Sequence, residues 1–138
     1  DRRKHRTYVM LGDGECDEGQ IWEAAMAAAH YRLGNLTAIV DRNGIQNDRT
    51  TDEVMQLEPL VDKWAAFGWK VSEIDGHDMT QILASFERAI DVVDEPTVII
   101  ANTVKGKGVS FMENNPAFHG AAPTKEEYET AMQELGAE

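Results

Sequence analysis

Short apolar runs that alternate with stretches of helical periodicity constrain the fold of this chain more than any other feature. The apolar runs are rich in β-branched residues and bounded by turn-forming Gly, Asp or Pro, and they predict strands at 7–11, 36–40, 69–74 and 97–104. The periodic stretches predict helices at 19–33, at 59–67, after Asp78 and after Thr124. This alternation is typical of an α/β fold, in which helices cover both faces of a mostly parallel sheet.

The predicted helix ends depend on residues that can satisfy free backbone groups. Gly34 follows the Ala-rich first helix and can adopt the left-handed C′ conformation that ends many helices. Asp78 has Gln81 three residues after it, which is the spacing of a capping box. Thr124 and Glu127 have the same spacing. We therefore expect the first helix to end just before Gly34 and two later helices to begin at Asp78 and Thr124.

The composition is that of a folded, acidic, cytoplasmic chain. Its 138 residues, 42% of them hydrophobic, predict a single domain spanning 1–138 with a true core. The net charge of −12 argues against nucleic acid or an anionic membrane as a partner. No apolar run approaches the roughly 20 residues of a membrane span, and the single cysteine, Cys16, fits the reducing cytoplasm.

The start of the chain and its charge distribution lead to two further expectations. The first strand is entered by Tyr8 and no Met precedes it, so we expect the fold to be incomplete, without its N-terminal segment. Residues 1–6 carry a net charge of +3, which leaves −15 on the other 132 residues. An anionic ligand bound by this chain therefore needs a cation beside it.

Candidate chemistry is concentrated in the segment GDGECDEG at 12–19, directly after the first strand. The segment lacks the third glycine of a dinucleotide fingerprint, the lysine of a Walker loop and the central glycine of an EF-hand loop. What remains is the position of Asp13 at the end of one strand and of Asn43, 30 residues later, at the end of the next. A right-handed crossover makes these strands parallel, so both side chains should emerge at the ligand-binding edge of the sheet.

Asp13 and Asn43 are therefore predicted to share one ion. A carboxylate, an amide oxygen, a backbone carbonyl from the Gly44-Ile45 turn and phosphate oxygens together suit Mg²⁺. Gly14 lets the backbone approach closely, and the helix that follows offers free N–H groups to a phosphate. Asp-Gly or Asn-Gly alone is more often an ordinary turn. Their joint placement at two strand ends favours a site for a metal and a phosphate.

The same residues carry a resemblance to a known family. Gly12-Asp13-Gly14 followed by Asn43 resembles the thiamine-diphosphate motif, and GDGECDEGQIWEAA with DRNG at 41–44 resembles transketolase. Further segments occur in the family's order, namely DGHD at 75–78, TVKGKG at 103–108 and HGAAP at 119–123. The chain is most similar to the N-terminal subunit of split, two-gene transketolases. It lacks their histidine-bearing segment before the GDG strand, and QNDR at 46–49 replaces a hydrophobic-Asp-Gly ending.

The resemblance implies a set of residues that hold the cofactor and its metal. Asp13 and Asn43 would bind Mg²⁺, or else Ca²⁺ or Mn²⁺, through their side chains, and Ile45 would bind it through its backbone carbonyl. Gly12 and Gly14 would belong to the thiamine-diphosphate site, with the Gly14 N–H contacting the diphosphate. The expected fold is accordingly the thiamine-diphosphate-binding fold.

The resemblance also bears on charged residues outside the metal site. Glu18 matches an acidic position at the subunit interface near the pyrimidine of the cofactor, although a solvated glutamate favoured by the helix dipole is an open alternative. His119 matches a histidine that contacts the diphosphate and lies near the substrate oxygens, which makes it the candidate catalytic residue. His77 is expected to be structural, and Lys105 and Lys107 fit a solvated turn.

The activity implied is a thiamine-diphosphate- and Mg²⁺-dependent transfer of a two-carbon ketol unit between sugar phosphates, in the pentose phosphate pathway. A partner subunit would bind the pyrimidine, in a dimer or an α2β2 heterotetramer, and this chain alone would be inactive. Two alternatives stay open at this point. One is the α subunit of a 2-oxo acid dehydrogenase that uses the same cofactor, and the other is a fragment that binds cofactor or partner without turnover.

Overall fold

The computed structural model describes residues 5–136, in which four parallel strands form one sheet. The strands are β1 (Thr7–Gly12), β2 (Leu36–Arg42), β3 (Lys70–Asp75) and β4 (Thr97–Asn102), in the spatial order β1-β2-β4-β3. The predicted α/β fold is confirmed, and the strands lie where the apolar runs placed them. β4 ends two residues earlier than predicted, because its ladders to both neighbouring strands end at Asn102. Both ends of the predicted 1–138 domain lie outside the described residues.

Five α-helices occur in the described residues. They are α1 (Gly19–His30), α2 (Thr51–Val54), α3 (Leu60–Ala66), α4 (Met79–Asp91) and α5 (Lys125–Glu134). The predicted caps of the last two are confirmed, because Asp78 accepts the N–H groups of Thr80 and Gln81, and Thr124 forms a capping box with Glu127. Helix α2 was not predicted, because a single turn is too short to show a periodic pattern. None of these helices is long and apolar enough to cross a membrane.

The predicted end of the first helix is wrong. α1 ends at His30, and Arg32, not Gly34, adopts the left-handed conformation, with a φ of +52°. Gly34 is required for a different reason, since a Cβ at this position would lie 2.0 Å from the backbone oxygen of Val93. Because Gly34 has no side chain, the segment after α4 can lie close to its backbone. Local capping rules do not predict such a long-range contact.

The sheet separates two apolar layers. On one face, α1 and α3 cover the larger core cluster, whose large, fully buried side chains include Trp64, Leu60, Val40 and Ile100. On the other face, Ile82 and Phe86 of α4 pack against buried Ile99. Burial of apolar area on both faces explains why β4, at the centre of the sheet, is apolar along nearly its whole length.

The register of the sheet aligns the carboxyl ends of the strands. Gly12 of β1 pairs with Asp41 of β2, and Arg42, the last residue of β2, pairs with Asn102, the last residue of β4. Asp75, which ends β3, also pairs with Asn102. The loops that follow these strands therefore leave the sheet at the same edge, where α/β proteins bind their ligands.

Substitution of Leu60 by Ala should test the larger core cluster. Leu60 is fully buried, so Leu60→Ala should lower the free energy of unfolding by about 2–5 kcal/mol, through lost burial and the cavity left behind. Leu83 on α4 is 61% exposed, and Leu83→Ala should change that free energy by no more than about 0.5 kcal/mol. Urea denaturation of both variants measures the difference, and equal losses would contradict this description of the core.

Candidate functional site

Asp13 joins the loops that follow β1 and β2. Its side chain is 1% exposed and accepts two backbone N–H groups, from Gly14 at 2.8 Å and from Gly44 at 2.6 Å. Its own N–H donates to the backbone oxygen of Asp41 at 3.2 Å. The expectation that the Asp13 and Asn43 loops meet at one edge of the sheet is confirmed.

The orientation of Asn43 is fixed by its neighbours. The Asn43 amide nitrogen donates to one carboxylate oxygen of Asp41 at 3.2 Å, and the Asn43 amide oxygen accepts the Ile45 N–H at 3.0 Å. The other carboxylate oxygen of Asp41 accepts the hydroxyl of Thr103, which follows β4. Asp41 and Thr103 thus hold the amide so that its oxygen, which has a second lone pair, lies on the side of the 44–45 turn.

The loop after Asn43 is closed by a short antiparallel bridge between Ile45 and Thr50. The hydrogen bonds of this bridge run from Gln46 N–H to the Arg49 oxygen and from Thr51 N–H to the Gly44 oxygen, both at 2.9 Å. The Ile45 carbonyl takes no part in them. The segment QNDR at 46–49 therefore forms a defined turn, although it departs from the family pattern.

Burial and nearby charge both change the pKa of the Asp13 carboxyl group. Desolvation raises its pKa above the ordinary value, the two backbone donors partly offset this rise, and the nearby Asp41 carboxylate adds to it. Cys16, three residues later, is also buried, and desolvation with the surrounding carboxylates raises the pKa of its thiol to about 12. Cys16 is thus a neutral core residue and not a nucleophile.

A cleft of about 550 Å³ at this edge brings together every residue predicted to form the site. Among its lining residues are Gly12, Asp13, Gly14, Glu18, Asn43, Ile45 and His119. Their individual roles stay predictions, but their convergence from three separate segments is a property of the fold. Asp13, Asn43 and Ile45 offer a carboxylate, an amide oxygen and a carbonyl oxygen, which is a donor set that fits Mg²⁺.

His119 reaches the cleft from a distant part of the chain. A 3₁₀ turn at Pro116–Phe118 precedes it, and the His119 N–H donates to the Pro116 oxygen at 2.9 Å. Asn115 caps this turn by accepting the Ala117 N–H at 3.1 Å and donating to the Phe111 oxygen at 3.0 Å. The turn is ordered by its own hydrogen bonds, while the His119 side chain stays exposed.

Two details differ from the expected phosphate site. The Gly14 N–H, assigned to the diphosphate by resemblance, donates to Asp13, and a 3₁₀ turn at Gly14–Asp17 separates Gly14 from the start of α1. Glu18, the N-cap of α1, makes no side-chain capping hydrogen bond, so the helix N–H groups are not taken by this side chain. His77 is structural as expected, since its ring Nε2 accepts the Val104 N–H at 2.7 Å.

Several residues of the cleft and its support were not predicted from the sequence, among them Asp41, Thr103, Gln46 and Lys105. Asp41 and Thr103 both lie at strand ends, so the same edge argument could have found them. Gln46 packs against Gly14, and Lys105 lines the cleft. No local pattern marks these last two residues, because only the tertiary fold brings their loops to the GDG segment.

The structure defines an α/β domain with a cleft, lined by oxygen donors, at the carboxyl ends of its parallel strands. This is the edge at which α/β domains bind their ligands. The family described as "Transketolase, thiamine diphosphate binding domain" matches residues 1–138. The chain belongs to this family. The resemblance to transketolase and the predicted fold class are thereby confirmed, and the dehydrogenase and non-catalytic alternatives are not favoured.

Proteins similar in sequence or structure to this chain are also transketolases or transketolase subunits. The chain is 49% identical to a subunit of the apulose-4-phosphate transketolase of Phocaeicola vulgatus, with 98% of this chain and 48% of that protein covered. It is 47% identical to the 6-deoxy-6-sulfo-D-fructose transketolase subunit SqwG of a Clostridium species, covering 98% and 49%. It thus spans about half the length of these relatives. The crystal structure of Campylobacter jejuni transketolase matches with a TM-score of 0.91 and 30% identity, over 98% of this chain and 21% of that one.

Substitution of Gly14 should test the close contact between the GDG loop and the 46–49 turn. A Cβ at Gly14 would lie 2.6 Å from the Cβ of Gln46, so Gly14→Ala forces the backbone of that turn to move. We expect Gly14→Ala to lower the free energy of unfolding by about 1–3 kcal/mol, as overpacking does. Gly19, which has open space around it, is the matched control, and Gly19→Ala should be neutral or slightly stabilising. Equal unfolding midpoints in urea would show that the contact is absent.

Proposed function

We propose that this chain is the diphosphate-binding half of a transketolase. In this proposal it uses thiamine diphosphate and Mg²⁺ to transfer a two-carbon ketol unit between sugar phosphates in the cytoplasm. The family match supports the cofactor, and the convergence of Asp13, Asn43, Ile45 and His119 on one cleft supports the site. The single observation that carries the proposal is the buried Asp13 carboxylate at the junction of two strand-end loops.

The burial of Asp13 supports a metal at this position. A buried carboxylate is costly unless it is paired or coordinates a metal, and no Lys or Arg side chain in the described residues forms a salt bridge with Asp13. Its oxygens keep lone pairs beyond those used by the Gly14 and Gly44 N–H groups. Asp13, Asn43 and Ile45 would hold Mg²⁺ with few protein ligands, which leaves positions for phosphate oxygens and water.

The remaining residues of the cleft have complementary roles in the proposal. Gly12 and Gly14 add no side chains on either side of Asp13, which would leave room for the diphosphate, and Glu18 lines the cleft at the start of α1. Thiamine diphosphate, when bound, supplies the electron sink that ketol transfer needs. His119 is exposed and lines the same cleft, so it can donate to a substrate oxygen or orient it.

A partner subunit is the second part of the proposal. The relatives from Phocaeicola vulgatus and Clostridium are named as subunits, and this chain covers about half of each. We infer that a separate pyrimidine-binding subunit completes the active site in a dimer or an α2β2 heterotetramer. The chain alone would then bind the metal and the diphosphate without turnover.

The third part of the proposal concerns the sugar substrate. The relatives are named for apulose 4-phosphate and for 6-deoxy-6-sulfo-D-fructose, whereas other transketolases with more distant sequences carry no sugar in their names. We therefore propose that the chain acts on a ketose with an anionic group at its far end. An assay with xylulose 5-phosphate, apulose 4-phosphate and 6-deoxy-6-sulfofructose as alternative donors distinguishes the pentose phosphate pathway from a more specialised one.

Removal of the Asp13 charge should strongly weaken metal-dependent cofactor binding. We expect Asp13→Asn to weaken Mg²⁺-dependent binding of thiamine diphosphate about a hundredfold or more, since loss of one partner of a buried charge pair costs about 3–5 kcal/mol. Asp17 is exposed, belongs to the same loop and does not line the cleft, so Asp17→Asn should bind as the wild type does. Isothermal titration calorimetry measures both, and unchanged binding by Asp13→Asn would rule out the metal assignment.

Substitution of His119 should affect turnover more than binding. With the partner subunit, Mg²⁺ and thiamine diphosphate present, His119→Ala should lower kcat about a hundredfold, which is a typical loss for one acid–base or oxyanion-stabilising group. His30, at the end of α1, is the control, because it is outside the cleft, and His30→Ala should leave kcat unchanged. Steady-state rates of ketol transfer give the comparison. A release of CO₂ from a 2-oxo acid by the wild-type complex would instead support a dehydrogenase.

A further inference from the structure

Glu134, the last residue of α5, joins that helix to the loop after β4. It accepts two hydrogen bonds from Ser110, whose N–H donates to one carboxylate oxygen and whose hydroxyl donates to the other, both at 2.6 Å. Within residues 5–136, the other side-chain hydrogen bonds and salt bridges of α5 stay inside the helix and its N-cap. The pair Ser110 and Glu134 is therefore the polar contact that fixes the end of α5 on this loop.

The contact combines polar and apolar parts, and we call it the Ser110–Glu134 clamp. The hydroxyl and the N–H of Ser110 hold the pKa of Glu134 below its ordinary value, so the acceptor is a carboxylate at neutral pH. Hydrogen bonds to a charged acceptor are stronger than neutral ones. Beside them, the Leu135 side chain lies against Gly108, where a Cβ would be 3.1 Å from its Cδ2 atom. Val109, between Gly108 and Ser110, is 6% exposed.

The clamp closes a loop of the chain that contains His119. Ser110 and Glu134 are 24 residues apart in sequence, and His119 lies between them. Directly after Ser110, the ring of Phe111 packs against the ring of Phe118, with their centroids 5.5 Å apart. Phe118 is the residue before His119. A chain of packed neighbours thus connects the clamp to the candidate catalytic residue.

The ring of His119 depends on this segment for its position. The hydrogen bonds made by Asn115 and by the His119 N–H hold the backbone of the 116–118 turn. Within residues 5–136, none holds the imidazole nitrogens of His119, and the side chain is exposed. The place of the ring in the cleft is therefore set by where the segment itself is held.

We propose that Glu134 is a positioning residue for His119. Its hydrogen bonds to Ser110 hold the segment so that the imidazole is already at the cleft when substrate binds. Glu134 does not line the cleft, so it acts through position and not by contact with a ligand. This inference rests on the proposed function, because it assigns His119 to the substrate oxygens. A displacement of about 1 Å in such a group can cost about a hundredfold in rate.

The first test measures amide hydrogen exchange in the full-length protein without cofactor. Glu134→Ala removes both hydrogen bonds to Ser110, and it should raise the exchange rates of residues 110–119 about tenfold while those of the strands stay unchanged. Glu129 is the matched control, since it is exposed on the same helix and pairs only with Lys125, at 3.9 Å. Glu129→Ala should leave the exchange of residues 110–119 as in the wild type. Equal exchange in the two variants would overturn the inference.

The second test measures ketol transfer by the complex with the partner subunit, Mg²⁺ and thiamine diphosphate. Glu134→Ala should lower kcat about tenfold, a smaller loss than that expected for His119→Ala. The concentration of thiamine diphosphate needed for half-maximal activity should stay within about twofold, because the metal site is untouched. Glu134→Gln keeps an acceptor oxygen for Ser110 and should retain most of kcat, and Glu129→Ala should retain all of it.

A double-mutant cycle separates positioning from a general effect on the fold. If Glu134 acts through His119, Glu134→Ala should cause no further loss of kcat in the His119→Ala background. Losses that multiply, an unchanged kcat in Glu134→Ala, or equal losses in Glu134→Ala and Glu129→Ala would each overturn the inference. A wild-type complex that transfers no ketol unit would instead overturn the proposed function.

Discussion

The hydrogen bond from the Gly44 N–H to the buried Asp13 carboxylate is the interaction on which the rest of the site depends. It ties the loop after β1 to the loop after β2, at the edge where Gly12 pairs with Asp41. A shift of one residue in this register would turn Asp13 to the opposite face of the sheet and remove it from the cleft. The bond also helps to offset the cost of burying a carboxylate, which is why the loop can hold this charge in the core.

Charge is the second constraint on this domain. A chain with a net charge of −12 repels a diphosphate at long range, yet its family is defined by binding one. The proposed metal site would resolve this conflict locally, since oxygen donors gathered on one ion would turn acidic residues into an anion site. Lys105, in the loop after β4, is a basic residue that lines the same cleft.

Most of the secondary structure could be predicted from the sequence, because it follows from short-range chemistry. The caps at Asp78 and Thr124 each depend on a side chain and a backbone group within three residues. Gly34 misled the prediction for the opposite reason, since its contact with Val93 is 59 residues away in sequence. Lys105 and Lys107 likewise look alike in sequence, and only one of them lines the cleft.

The sequence by itself determined the parallel α/β sheet, the two strand ends that carry Asp13 and Asn43, and the family to which the chain belongs. Periodicity, turn residues and motif spacing are local properties, so they can be recognised in a single sequence. Only the tertiary structure decided that Asp41 and Thr103 hold the Asn43 amide, that Gln46 packs on Gly14 and that His119 enters the cleft. These contacts join loops that follow different strands, and the sheet register that brings them together is a property of the whole fold.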